Sequence, residues 1–179
     1  MEEHKTNVSS DDISLRALEP EDLDLLYQVE NDVSLWSVGV TNKPYSRFAL
    51  HEYIANASGD IYVDHQVRMM ICNRVGDTVG MVDLVNFNPQ HRRAEVGIVI
   101  LDEYRNQGYG LAAMRHVFRY AHATLHLHKL YALVGVNNLY SIRLFEGAGF
   151  TREGVLHEWL FDGDDYHDVI VYQRLLPVQ

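Results

Sequence analysis

Arg105-Asn106-Gln107-Gly108-Tyr109-Gly110 is the stretch on which the reading of this chain turns. Upstream lies Val96-Gly97-Ile98-Val99-Ile100-Leu101, a continuous apolar run of the kind that a strand buried on both faces requires. Downstream, Met114, Phe118, Ala121 and Leu125 recur at helical spacing and give one apolar stripe. A strand, a glycine-bearing turn and a helix in that order make an anion site. The first helical N–H groups point outward unpaired, and the helix end adds roughly half a positive charge. Gly108 and Gly110 lack the Cβ that would hold a phosphate off the backbone. The expected ligand is a pyrophosphate.

Three phosphate loops compete for these residues. A P-loop is excluded because no Gly-Lys-Ser/Thr follows the glycines. Gly108-x-Gly110-x-x-Ala113 fits the dinucleotide fingerprint, but that motif needs its first glycine tight against the strand and an acid about 20 residues on. Here Asp102 to Gln107 intervene, and the region of His128 and Lys129 carries no acid. The third pattern, Arg/Gln-x-x-Gly-x-Gly/Ala, is matched at every position. Two more segments follow in order: Lys129 to Val136, which reads as a strand, and Asn137 to Phe150, which reads as a short helix ending in a Gly-Phe pair. Together they resemble the GNAT superfamily of acetyl-CoA-dependent N-acetyltransferases, and the likeness runs from Ile13 to Leu176. His91-Arg92-Arg93-Ala94-Glu95 resembles the start of the central strand in bacterial spermidine and spermine acetyltransferases. Ribosomal-protein N-terminal acetyltransferases share much of the outline.

Length and composition fit this class. The chain has 179 residues, 47% hydrophobic and 22% charged, as one globular domain with a sizeable core would have. No run reaches the ~18 apolar residues of a membrane span. The N-terminus is polar and acidic, and Cys72 is the only cysteine, so no internal disulfide forms; both point to the cytoplasm. A formal charge of −10 disfavours nucleic acid as a partner and favours a cationic acceptor. Coenzyme A is itself an anion, so Arg105, Arg115, Arg119, Lys129 and Arg143 are expected around it. The histidines lack the Asp, Glu or Cys that would complete a metal set, and no metal is expected.

Residues 1–11 read as a disordered tail, and 12–179 as a single domain. A strand is expected over Ile13–Leu18, a helix from Pro20 to about Asn31, and a second helix capped by Ser46 and running to about Ala57. Val67–Arg74 and Thr78–Asn88 flank Gly76-Asp77 as a hairpin, Ala94–Leu101 follows, and Thr151–Phe161 with Tyr166–Leu175 make a last hairpin. The fold class is α+β. The resemblance implies a mixed, mostly antiparallel sheet of about seven strands, helices on both faces and a central parallel crossover. A homo-oligomer is compatible with it.

Acetyl transfer to a primary amine must first remove a proton. At an amine pKa of ~10.4 the neutral form costs roughly 4–5 kcal/mol near pH 7, whereas a thiol of pKa ~8.5 leaves as thiolate for about 2 kcal/mol. Glu95 is the first candidate base, beside an apolar run that disfavours a charged carboxylate; the alternative is an ion pair with Arg92 or Arg93. Asp83 is the second, with a purely structural role as its alternative. An even-sum register between its strand and the next would put both acids on one sheet face. The resemblance implies that backbone N–H groups at Ile98, Val99 and Ile100 hold the thioester. It also implies that Arg105, Asn106, Gln107, Gly108, Tyr109 and Gly110 hold the pyrophosphate, and that Asn138, Ser141 and Phe145 line the pantetheine arm. Asn138 also suits a helix N-cap. Relatives carry a Tyr at the position of Phe145 to protonate the thiolate, and phenylalanine cannot donate. Tyr140 lies about 140° away round the helix and is no simple substitute. Tyr131 and Tyr104 are alternatives without positional support. Glu30 and Asp32, with Asp60 and Asp64, are candidates to cradle a polyamine; the acceptor is a small-molecule or peptide amine. A non-catalytic acyl-CoA-binding sensor is the alternative of another class.

Overall fold

The computed structural model describes residues 8–36 and 43–177. Seven strands form one sheet in the order β1-β2-β3-β4-β5-β7-β6. They are β1 (Ile13–Ala17), β2 (Val67–Asn73), β3 (Thr78–Asn88), β4 (Arg93–Ile100), β5 (Lys129–Gly135), β6 (Thr151–Phe161) and β7 (Tyr166–Leu175). Each neighbouring pair is antiparallel except β4 and β5. The helices are α1 (Leu23–Glu30), α2 (Val33–Trp36), α3 (Arg47–Asn56), α4 (Ile61–Asp64), α5 (Tyr109–Ala123) and α6 (Leu139–Gly147). Both expected hairpins and the expected strand–helix–strand–helix order are present.

The alternation of side chains along the strands divides the core in two. On one face Ile71, Val82, Leu84, Val96, Leu130 and Ala132 pack under α5, whose buried side is Ala113, Met114, Val117 and Ala121. On the other face Met70 and Met81 pack under Leu26 of α1 and Leu50 of α3. Tyr27, Tyr45 and Tyr53 pack against this second cluster. The second cluster is small and stops near β4. Beyond it Tyr131, Leu133 and Gln173 stay half-buried, and among the described residues no helix covers the β5–β7 end of this face.

Two expectations shift. Pro20–Asp22 forms a tight turn of its own before α1 begins at Leu23. Residues 8–11, expected in a disordered tail, are held instead. Ser9 and Asp12 cap a short turn reciprocally, Val8 N–H donates to Gln107 O at 3.4 Å, and His116 Nε2 meets Ser10 O at 2.7 Å. Residues 1–7 lie outside the described residues. Among the described residues no helix is long and apolar enough to cross a membrane.

Candidate functional site

The parallel pair decides the shape of the site. β4 and β5 are in register at three positions only, Arg93↔Lys129, Ala94↔Leu130 and Glu95↔Tyr131. From Val96 to Ile100, β4 stays paired with β3 and has no partner on its β5 side. The strands therefore open as a wedge with Glu95 and Tyr131 on its last closed rung. Ile98 and Ile100 turn their backbone groups to the open side, where Ile100 O accepts from Arg105 Nε, whereas the backbone groups of Val99 face β3.

At the wide end of the wedge stands the phosphate loop. Gly108 is the N-cap of α5 at φ +96°, a conformation open to glycine and strained for residues with a Cβ. No side chain caps this helix, and its first closing bond runs from Ala112 N–H to Gly108 O. The N–H groups of Tyr109, Gly110 and Leu111 are thus left for a ligand. Asn106 is also left-handed, at φ +60°, which tightens the bend. Arg105 acts as a strut: Nε donates to Ile100 O at 3.0 Å, and Nη1 pairs with Asp102 at 2.7 Å. Asp102 is exposed, so that pair is a weak competitor for a phosphate. Gln107 Nε2 donates to Glu103 O at 2.7 Å and closes the loop on itself.

Gly110 differs from the sequence reading. It is buried, and a Cβ there would sit 3.0 Å from Leu144 Cδ1, so its smallness lets α6 close on α5 rather than admitting a phosphate. The expected belt of cations also breaks up. Arg105 belongs to the loop, Arg119 lines a groove at the β1 edge, and Lys129 donates to Gln173 at 3.3 Å on the opposite face from α5. The groove, about 1120 Å³, runs past Leu15, Tyr53, Arg68 and Tyr120 at the far edge of the sheet, and neither Glu95 nor any loop residue lines it.

On the α1/α3 face the register is even: Asp83 pairs with Gly97 and Val85 with Glu95, so both candidate acids share that face. Their surroundings differ. Asp83 takes two bonds from Arg68, at 2.7 and 2.9 Å, and Arg68 also donates to Glu30 and lies over the Tyr53 ring at 6.0 Å. Burial works against the charge on Arg68, but the carboxylates of Asp83 and Glu30 more than offset it and raise its pKa. Asp83 is thereby committed as the anchor of a cation, which removes it as a free base. Glu95 is not paired with Arg92 or Arg93; Asn86 Nδ2 donates to its Oε2 at 2.8 Å. Between the two acids lies Gly97, exposed, where an added Cβ would meet nothing within 4 Å. That bare floor leads from the acidic cluster to Glu95.

The remaining expected residues divide. Asn138 caps α6 by accepting from Ser141 N–H at 3.0 Å, so its capping role is observed. Phe145 is 4% exposed and packs against Phe150 at 5.0 Å and Tyr172 at 6.3 Å, inside the α5/α6 core. Glu30 joins Arg68, while Asp32 at the start of α2 is exposed. Asp60 caps α4 and Asp64 binds Ser58, so both are occupied structurally. Cys72 is buried and free, a packing residue 3.9 Å from Thr78 Oγ1.

Three contributors escaped the sequence reading. Arg68 was visible as a lone cation in Val67-Arg68-Met69-Met70, and Gly97 as a glycine inside an apolar strand. Asn86 gave no signal, because its role rests on a left-handed bulge, φ +51°.

The family model described as Acetyltransferase (GNAT) domain matches residues 12–151. A spermidine N(1)-acetyltransferase of Vibrio cholerae is 31% identical over 157 residues, covering 88% of this chain and 89% of that protein. A putative ribosomal N-acetyltransferase of Bacillus subtilis is 29% identical over 167 residues, covering 91% of each. The crystal structure of spermidine N-acetyltransferase from Vibrio cholerae in complex with CoA and spermine superimposes with a TM-score of 0.83 at 30% identity, covering 93% of this chain and 96% of that one.

Proposed function

This chain belongs to the GNAT acetyltransferases, and from that premise we propose that it moves an acetyl group from acetyl-CoA directly onto a primary amine in a ternary complex, with a polyamine as the favoured acceptor. The observation that carries the reading is the wedge: an unsatisfied helix N-terminus at its wide end and a carboxylate, Glu95, on its last closed rung. The loop N–H groups of Tyr109 to Leu111 bind the pyrophosphate. The open β4 edge at Ile98–Ile100 takes up the arm and steadies the thioester carbonyl as negative charge develops on its oxygen. Asn138 and Ser141 flank the arm from α6.

The amine approaches over Gly97 from the acidic cluster. Glu95 takes one proton from the ammonium; the neutral nitrogen then attacks the carbonyl carbon, the C–N bond forms, and the second N–H proton of the adduct is released to water. The C–S bond breaks and the thiolate departs. Phe145 offers it no proton, so water supplies one, a task of only about 2 kcal/mol near pH 7. Among the described residues no side chain placed at the wedge is a nucleophile suited to a covalent intermediate, which favours direct transfer. Glu30, Asp83 and Arg68 together carry one net negative charge beside the approach path, which supports a cationic acceptor.

Release of free thiol from acetyl-CoA across a panel of polyamines, monoamines and N-terminal peptides tests the proposal. Turnover highest with spermidine or spermine is expected. Turnover with peptides alone would give the ribosomal-protein type of activity instead. Tight CoA binding with no turnover on any amine would make the chain a non-catalytic sensor, the reading that Phe145 keeps in play.

A further inference from the structure

Glu95 is gripped from both neighbouring strands. On the β3 side the pairing Val85↔Glu95 is followed by a register break before Asn88, and Asn86 occupies the left-handed region inside it. Regular alternation would send Asn86 to the α5 face. The bulge turns it back, and its carboxamide donates to Glu95 Oε2 at 2.8 Å. On the β5 side Tyr131 is the direct partner of Glu95 on the last rung, so the two side chains stand side by side on one face.

Tyr131 shares its rung with Glu95, close enough that the carboxylate charge acts on its phenol. Burial raises its pKa first and the Glu95 charge raises it further, so the phenol keeps its proton at neutral pH and can only donate to a carboxylate beside it. The other charged groups facing this rung are Arg93 and Lys129 one step down β4 and β5, and Asp83 on β3; Gln173 stands opposite Tyr131 on β7.

We propose that Tyr131 is a positioning residue for acetyl transfer: with Asn86 it clamps the Glu95 carboxylate at the apex of the β4–β5 wedge, aiming the free lone pairs at the incoming amine. The proposal rests on the reading of Glu95 as the base. Tyr131 keeps its proton throughout; the proton that Glu95 takes comes from the amine. The clamp supplies what the bare apolar wall of β4 lacks, since a half-buried glutamate with unrestrained χ angles samples many directions and accepts a proton from few.

Two measurements test it, one of them independent of turnover. In protein carrying 13Cζ-tyrosine, the Tyr131 signal is assigned by its loss in Tyr131→Phe and followed through alkaline pH by NMR. In Glu95→Gln its ionisation is expected at lower pH than in the wild type, because the neighbouring negative charge has gone. An unchanged Tyr131 titration overturns the clamp. In the thiol-release assay Tyr131→Phe, which keeps the ring and the packing, should lower kcat by about tenfold and leave KM for acetyl-CoA unchanged. Asn86→Ala should do the same. Wild-type kcat in both variants, or a fall matched by loss of acetyl-CoA binding, contradicts the positioning role. A wild type inactive on every amine whose Tyr131 still responds to Glu95→Gln would sink the acetylation reading and leave the clamp standing.

Discussion

The loop at Arg105–Gly110 and the acidic face around Arg68 border the same wedge and are made of different materials. On the proposed reading the loop binds through main-chain N–H groups held in place by backbone conformation, with Gly108 at φ +96° as its pivot. Any side chain that permits the bend will serve, so the loop's chemistry is written in the backbone conformation at Gly108. The acidic face works through side chains whose charges are set against one another: Asp83 and Glu30 on Arg68, Asp22 on Arg16. Its properties depend on who pairs with whom. On that reading, cofactor binding should tolerate side-chain changes better than acceptor choice does.

The sharpest way to separate the two halves is Glu95→Gln. Loss of a positioned base should cut kcat by about 10²–10⁴-fold, while calorimetry with CoA finds the wild-type affinity. A variant that also lost CoA affinity would mean that the halves are not separate. The converse substitution, Gly108→Val, forces a branched residue into the left-handed region at roughly 1–2 kcal/mol. CoA affinity should fall about tenfold, with kcat at saturation close to wild type; an undiminished affinity would show that the bend is not what binds.

A smaller effect is expected from Asp22→Asn, which loosens only the acceptor half. Asp22 is 7% exposed and accepts both Arg16 bonds at 2.7 Å, tying β1 to the start of α1. The Arg16 guanidinium, with Glu19 N–H, holds the Asp22 carboxyl below its ordinary pKa against the opposing effect of burial. A depressed carboxylate adds stability above its unfolded pKa, ~3.9, and that contribution is lost as pH falls through the folded value. Asp22→Asn should cost about 1–2 kcal/mol in urea denaturation at pH 7. The gap from wild type should close as the pH drops below ~4. A gap that persists in acid would assign the effect to packing.

Much of the fold was legible because it is periodic. The apolar run 96–101, the stripe on α5 and the turn at Gly76-Asp77 each fix an element from neighbours in sequence. The bend at Gly108 was legible for the same reason, since it is local backbone geometry. Gly110 was misread because the atom it makes room for, Leu144 Cδ1, arrives from another helix. The acceptor half resisted for that reason throughout. Asp83 reads as a candidate base until Arg68 is brought against it by strand pairing, and Tyr131 has no visible link to Glu95 until β4 and β5 are aligned. Charged side chains acquire their roles from partners far along the chain, and the register that selects those partners is a property of the whole sheet.

The central claim is that backbone amides at the Gly108 bend grip the pyrophosphate of acetyl-CoA. Amide NMR of 15N-labelled protein during titration with CoA, and separately with pantetheine, measures it at the residues concerned. The expected result is a saturable shift of the Gln107 to Leu111 amides with CoA and none there with pantetheine, which lacks the diphosphate. Unmoved loop amides at saturating CoA, or equal shifts with both ligands, would contradict the account.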